Sequence, residues 1–146
     1  MSDRTNHMSV SFDAKSVNEG LARMLVAAFM TDMNPTLEQL ADVKTAVSEA
    51  VTNAIIHAYR EENQTVYLTC EREKDILKVT IEDKGIGITD IELAKQPFYT
   101  SKPELERSGM GFAFMEAFMD GMEIESQKGV GTKVMLWKNL AKNIEE

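Results

Sequence analysis

The chain has 146 residues and a mass of 16.4 kDa, with 43% hydrophobic residues, enough to hide about two-thirds of its unfolded surface in one core without disulfides or structural metal. Sixteen basic residues against 24 acidic ones leave a formal charge of -8, and with no basic tail or stripe this disfavours general nucleic-acid binding. No apolar run reaches the roughly 18 residues of a membrane span and we read no secretory signal, while the single Cys70 permits no internal disulfide and suits a reducing compartment, the cytoplasm by default.

Met8 to Phe12 alternates, with Met8, Val10 and Phe12 on one face of a first short strand. From Ser16 to about Met33, Val17, Leu21, Met24, Leu25 and Ala28 recur every three or four residues, the stripe of one amphipathic helix. Asn34-Pro35-Thr36 stops it. A second helix starts with Asn34 as cap and Pro35 in its first turn, or with Thr36 as cap and Gln39 three residues on; the capping box favours Thr36. Leu40, Val43, Val47, Val51, Ala54 and Ala58 form its core stripe as far as about Tyr59.

After a polar connection, Glu61 to Gln64, two alternating runs, Thr65 to Arg72 and Ile76 to Glu82, flank the charged turn Glu73-Lys74-Asp75 and read as an antiparallel hairpin. Asp83 to Ser108 is irregular, with a helix-like piece near Ile91 to Ala94. At about 25 residues it exceeds ordinary loops and is functional or mobile. Gly111 to Met119 is helical and Gly121 ends that helix. Met122 to Ser126 and Thr132 to Trp137 form a last hairpin around Gln127 to Gly131, and Lys138 to Glu146 is a weak helical extension or disorder. Strands grouped beside helices imply a two-layer α/β sandwich in one domain, residues 1 to 146.

Glu49, Asn53 and His57 are spaced by four along the second helix, about 6 Å per step, with Ala46, Ala50, Ala54 and Ile56 around them. Polar groups in an apolar surround ask for a ligand, a metal or a polar network. The amide oxygen of Asn53 suits a hard cation such as Mg²⁺, and the carboxylate of Glu49 suits a proton. A solvated helix face is the plainer alternative.

Asp83 has the parity of Leu77, Val79 and Ile81, so a strand that persists this far turns its carboxylate into the core layer, just before Gly85 and Gly87. There it would accept from an exocyclic amine of a purine. Thr132 shares parity with Val134 and Leu136 after Gly129-Val130-Gly131 and faces inward in the same way. Ordinary turns would also explain each glycine cluster alone. A third cluster, Arg107-Ser108-Gly109-Met110-Gly111, precedes a helix, where free N–H groups suit phosphate, and Ser101, Lys102 and Arg107 add donors. It matches neither the dinucleotide fingerprint nor the phosphate-loop motif.

Glu49-x-x-x-Asn53-x-x-x-His57, Asp83-x-Gly85-x-Gly87, Arg107-Ser108-Gly109-Met110-Gly111-Phe112 and Gly129-x-Gly131-Thr132 resemble, in order and spacing, the four nucleotide-binding boxes of the ATPase superfamily of histidine kinases, gyrase B, Hsp90 and MutL. As far as Trp137 the chain resembles that superfamily's small serine-kinase branch, the sporulation anti-sigma F factors. The resemblance implies a mostly antiparallel mixed sheet with helices on one face. It implies ATP with Mg²⁺: Asn53 holding the metal, Asp83 receiving the adenine amino group, and Thr132 supporting Asp83 and a bridging water. The glycines of the second and third boxes, with Ser108 and Met110 among them, shape the pocket and a lid over residues 96–108.

Glu49 would be the general base for a serine hydroxyl. Family members form homodimers, hold sigma factor F inactive and phosphorylate an anti-anti-sigma protein on serine; Arg23 matches a partner-contact position. No direct nucleic-acid or membrane contact is implied. Ala58 stands where Gly is common and Ser101 where Thr is common. The alternative function is an ATP-dependent binding module that sequesters a regulator without transferring phosphate.

Overall fold

A computed structural model describes residues 4–58, 64–87, 95 and 111–141. In chain order its elements are β1 (Thr5–Asp13), α1 (Asn18–Phe29), a 3-10 turn (Met30–Met33), α2 (Leu37–Ala58), β2 (Thr65–Glu73), β3 (Ile76–Asp83), α3 (Gly111–Phe118), β4 (Gly121–Gln127) and β5 (Gly131–Asn139). The strands lie side by side as β1-β2-β3-β5-β4. All four pairings are antiparallel, which corrects the expected mixed sheet. The two strands joined through α3, β3 and β4, do run parallel, but β5 inserts between them and pairs with both.

One face of the sheet carries the core. Val66, Leu68 and Cys70 of β2, Leu77, Val79 and Ile81 of β3, and Val134 and Leu136 of β5 are buried against the helices. Tyr67, Glu123 and Glu125, of opposite parity, face solvent. Val43, Ala46, Val47, Ala50, Val51, Ala54 and Ile55 are all buried on α2, because it is packed by the sheet, α1 and α3 together. No helix among the described residues is long and apolar enough to cross a membrane.

Several expected boundaries move. The first helix does not continue to Met33: it tightens into the 3-10 turn, and Asn34 adopts the left-handed conformation at φ 51° that stops it. Arg72 secures that turn through the Asp32 carboxylate at 3.1 Å. The β2–β3 turn is shorter than expected, with Lys74 alone at positive φ, 55°. Gly121 does not merely end a helix. It opens β4 beneath the Trp137 indole, which occupies the space a Cβ would need. Lys138 and Asn139 belong to β5 and not to a helical tail. The helix-like piece expected at Ile91 to Ala94 lies outside the described residues.

The capping box at Thr36 is present in both directions: the Gln39 N–H donates to Thr36 Oγ1 at 3.0 Å and the Thr36 N–H donates to Gln39 Oε1 at 2.9 Å. Both satisfy donors that the start of α2 would otherwise leave unpaired. Thr36→Ala should therefore lower stability by about 1 kcal/mol. Urea unfolding with an unchanged slope would show the loss, and an unchanged midpoint would contradict it.

Candidate functional site

Helix α2 brings a half-buried Glu49 and a buried Asn53 to the same side, one turn apart. The start of α3 closes on them. A Cβ added at Gly111 would lie 2.9 Å from Asn53 Nδ2 and 3.5 Å from Glu49 Oε1, so the absence of a side chain there is what leaves room beside the amide and the carboxylate. α3 runs back alongside α2. Its last carbonyl, at Phe118, accepts from Lys138 Nζ at 2.6 Å, and the same ammonium lies 3.7 Å from the Asp42 carboxylate near the other end of α2.

The sheet supplies the opposite wall. Asp83 ends β3 and Thr132 is its partner across to β5; both face inward and are 4% and 5% exposed. The Asp83 carboxylate accepts the Gly85 N–H at 2.8 Å and the Thr132 N–H. Burial is the larger influence and raises its pKa from 3.8 to about 6, with these two N–H groups opposing the rise and Glu82 adding to it. The expected sharp glycine turn is divided between two residues. Gly85 contributes its N–H, whereas Gly87 takes the positive φ, 80°, where a Cβ would overlap the Gln127 carbonyl. Gly131, at φ 143°, passes so close to the Asp83 backbone that any side chain would collide with it.

Asn53, Asp83 and Thr132 meet around a cavity of about 10 Å³, whose walls include Ala50, Ala54, Ile81 and Phe112. A more open groove of about 380 Å³ across the ends of β3, β5 and β4 shares Asp83 and Thr132 with it. The arrangement combines a carboxylate that accepts hydrogen bonds, an amide, a hydroxyl and apolar walls. Those are the parts of a site for a flat base bearing an amino group.

Of the other predicted site residues, Ser101, Lys102, Arg107, Ser108, Gly109 and Met110, and the whole of 96–108, lie outside the described residues. For His57 and Ala58 only the helical backbone is described. Arg23, on α1, is not simply solvated: its guanidinium lies 3.1 Å from the Glu19 carboxylate and 3.4 Å from Ser48 Oγ, and Ser48 donates to Glu19 at 2.6 Å. Ser126 is the residue the motifs missed. Its hydroxyl lies 2.9 Å from that of Thr132, and its parity with Met122 and Ile124 was the available signal.

Because folded Asp83 holds its proton up to about 6 and an ordinary Asp releases it near 3.8, the folded chain binds more protons between those values. Lowering the pH from 7 through 6 toward 4 therefore stabilises the fold through this group. The stability of the native chain relative to Asp83→Asn should rise by about 2 kcal/mol over that window. Paired urea titrations at several pH values test it, and a constant difference would remove Asp83 as the source.

The histidine kinase-like ATPase domain family matches residues 11–138. The anti-sigma F factor of Clostridium perfringens is 54% identical over 136 residues, covering 92% of this chain and 97% of its own. That of Clostridium beijerinckii is 55% identical over 139 residues, with 94% and 96% covered, and that of Bacillus licheniformis 51% over 139 residues, with 94% and 95%. Among solved structures, the RsbU and RsbW domains of a Mycobacterium tuberculosis protein align at a TM-score of 0.66 with 18% identity, over 94% of this chain and 33% of that one. The catalytic domain of the histidine kinase ThkA aligns at 0.55 with 17% identity, over 91% and 97%. The last two show a shared fold; identity above 50% over almost the whole length shows more, and the chain belongs to the anti-sigma F factors within the histidine kinase-like ATPase family.

Proposed function

We propose that the chain is an ATP-dependent protein-serine kinase that binds and inhibits sigma factor F and phosphorylates its anti-anti-sigma antagonist on serine. The observation that carries this is the burial of Asn53, Asp83 and Thr132 together where α2, α3 and the sheet meet, on a chain of this family. An amide, a carboxylate and a hydroxyl gathered in one apolar seam offer the few convergent polar groups by which a small-molecule site fixes its ligand.

Above pH 6 the Asp83 carboxylate is ionised and accepts from the exocyclic amine of adenine. Asn53 would hold Mg²⁺ through its amide oxygen; a cation bound by so few protein atoms keeps positions for phosphate oxygens. When bound, Mg²⁺ supplies charge neutralisation at the phosphates. Glu49, one turn before Asn53, would orient the serine hydroxyl and take its proton as the serine oxygen bonds to the γ-phosphorus of ATP and the bond to the β,γ-bridging oxygen breaks, releasing ADP. Ser101, Lys102 and Arg107, which lie outside the described residues, would add donors to the phosphates.

A homodimer also belongs to this reading. β1 forms one edge of the sheet, and α1 beside it exposes Val17, Leu21 and Met24, a surface suited to a second copy. A partner that acts in transcription implies a cytoplasmic location.

The rival reading, sequestration without phosphate transfer, parts from this one at Glu49. Glu49→Gln keeps the shape of the side chain and removes the base, so labelled ATP mixed with the antagonist should yield phosphoserine at least about 100-fold more slowly, while ATP and sigma factor binding persist. Transfer at the native rate would leave only the binding role. Arg23 offers a fork for a partner carboxylate. Arg23→Glu should weaken both protein complexes by more than about tenfold and leave ATP affinity unchanged; titration of each partner in the presence of ATP measures this, and native affinities would remove Arg23 from the interface.

A further inference from the structure

Ser126 stands opposite Thr132 in the β4–β5 ladder, and its Oγ lies 3.2 Å from the Gly131 carbonyl oxygen and 2.9 Å from Thr132 Oγ1. A carbonyl has no hydrogen to give, so the contact with Gly131 uses the one hydroxyl hydrogen that Ser126 carries. With that hydrogen committed to Gly131, the contact between the two hydroxyls uses the hydrogen of Thr132, with Ser126 Oγ accepting. Thr132 Oγ1 is left facing the pocket with lone pairs only. Its neighbour Asp83, already holding two backbone N–H groups, likewise has only lone pairs to offer.

We propose that Ser126 is a positioning residue that fixes the hydroxyl of Thr132 as an acceptor, so that the floor of the base pocket selects a purine carrying a 6-amino group and rejects one carrying a 6-oxo group. The inference rests on the nucleotide reading above and adds to it the direction of one hydrogen bond. A 6-amino group brings hydrogens to the acceptors, directly or through a water that donates to Thr132. A 6-oxo group would set an oxygen against the Thr132 and Asp83 oxygens where the amino group would have donated, a mismatch that polar sites reject strongly. Asp83 alone disfavours such a base. Ser126 removes the remaining escape, in which the Thr132 hydroxyl turns and donates to the foreign oxygen.

Calorimetry of the full chain with MgATP and with MgITP tests this in the native protein and in three variants. In Ser126→Ala the Thr132 hydrogen is released, so the preference for ATP over ITP should narrow by about three- to tenfold. Ser126→Cys, which keeps the shape but accepts far more weakly, should narrow it in the same direction and serves if the alanine variant does not fold. Ser126→Thr keeps the hydroxyl and should keep the native preference. A merely structural serine would change both affinities together and leave their ratio fixed. A ratio within twofold of native in the alanine and cysteine variants, or an equal narrowing in the threonine variant, overturns the proposal. Equal binding of the two nucleotides by the native chain would instead overturn the adenine reading itself.

Discussion

Everything at the candidate site depends on one carboxylate being held inside the layer where the sheet meets the helices. Asp83 is 4% exposed at the end of β3, and an ionised group there loses most of its hydration. Two backbone donors, the Gly85 and Thr132 N–H groups, replace part of that hydration. Each has a geometric condition. The first needs the chain to curl back immediately after the strand, and the second needs β5 to be the direct neighbour of β3 in a register that pairs Asp83 with Thr132. The central place of β5 and the close passage of Gly131 over the Asp83 backbone follow from that requirement.

The helical side meets a matching constraint. α2 is nearly enclosed, so the position of Asn53 is set by packing on several sides at once. α3 has eight described residues, a length with little helical stability of its own. It is fixed instead by contacts: Gly111 against Asn53 at one end, Phe112 and Met115 in the core, and the Lys138 ammonium on its last carbonyl. Lys138 also faces Asp42, so β5 is tied to both helices as well as to Asp83. Where α2 faces α1, Ser48 joins the two helices through Glu19 and Arg23, one residue before Glu49. The surface that carries Arg23 and the line that carries Glu49 are therefore attached to neighbouring residues of a rigid helix.

Features governed by period and local chemistry were legible in the sequence. The parity of Asp83 with Leu77, Val79 and Ile81, the parity of Thr132 with Val134 and Leu136, and the Thr36–Gln39 box depend on residues close in the chain, and each appears in the structure. Features governed by distant partners were not. Nothing local shows that β5 enters between β3 and β4, that Gly121 lies beneath Trp137, or that Lys138 reaches Phe118 across 20 residues of sequence. The early end of α1 belongs to the same class, because the 3-10 turn is secured by Arg72 from another strand. Ser126 was legible by parity and was passed over because a lone serine in a strand carries no motif; only the register that sets it against Thr132 gives it a role.

The raised pKa of Asp83 gives the site a physical logic beyond recognition. At neutral pH Asp83 is an ionised carboxylate whose two backbone donors leave part of its desolvation unrelieved, so the fold carries a local cost there. On the proposed reading, the amino group of a base would add a donor, and its binding free energy would include relief of that cost. The same carboxylate that lowers the stability of the fold above pH 6 would then favour a ligand that donates to it. The elements that pack around Asp83 should be the ones most stabilised by that ligand, since binding favours the folded arrangement in proportion to its saturation. Among them are β5, whose Thr132 pairs with Asp83, and α3, whose Phe112 lines the same cavity.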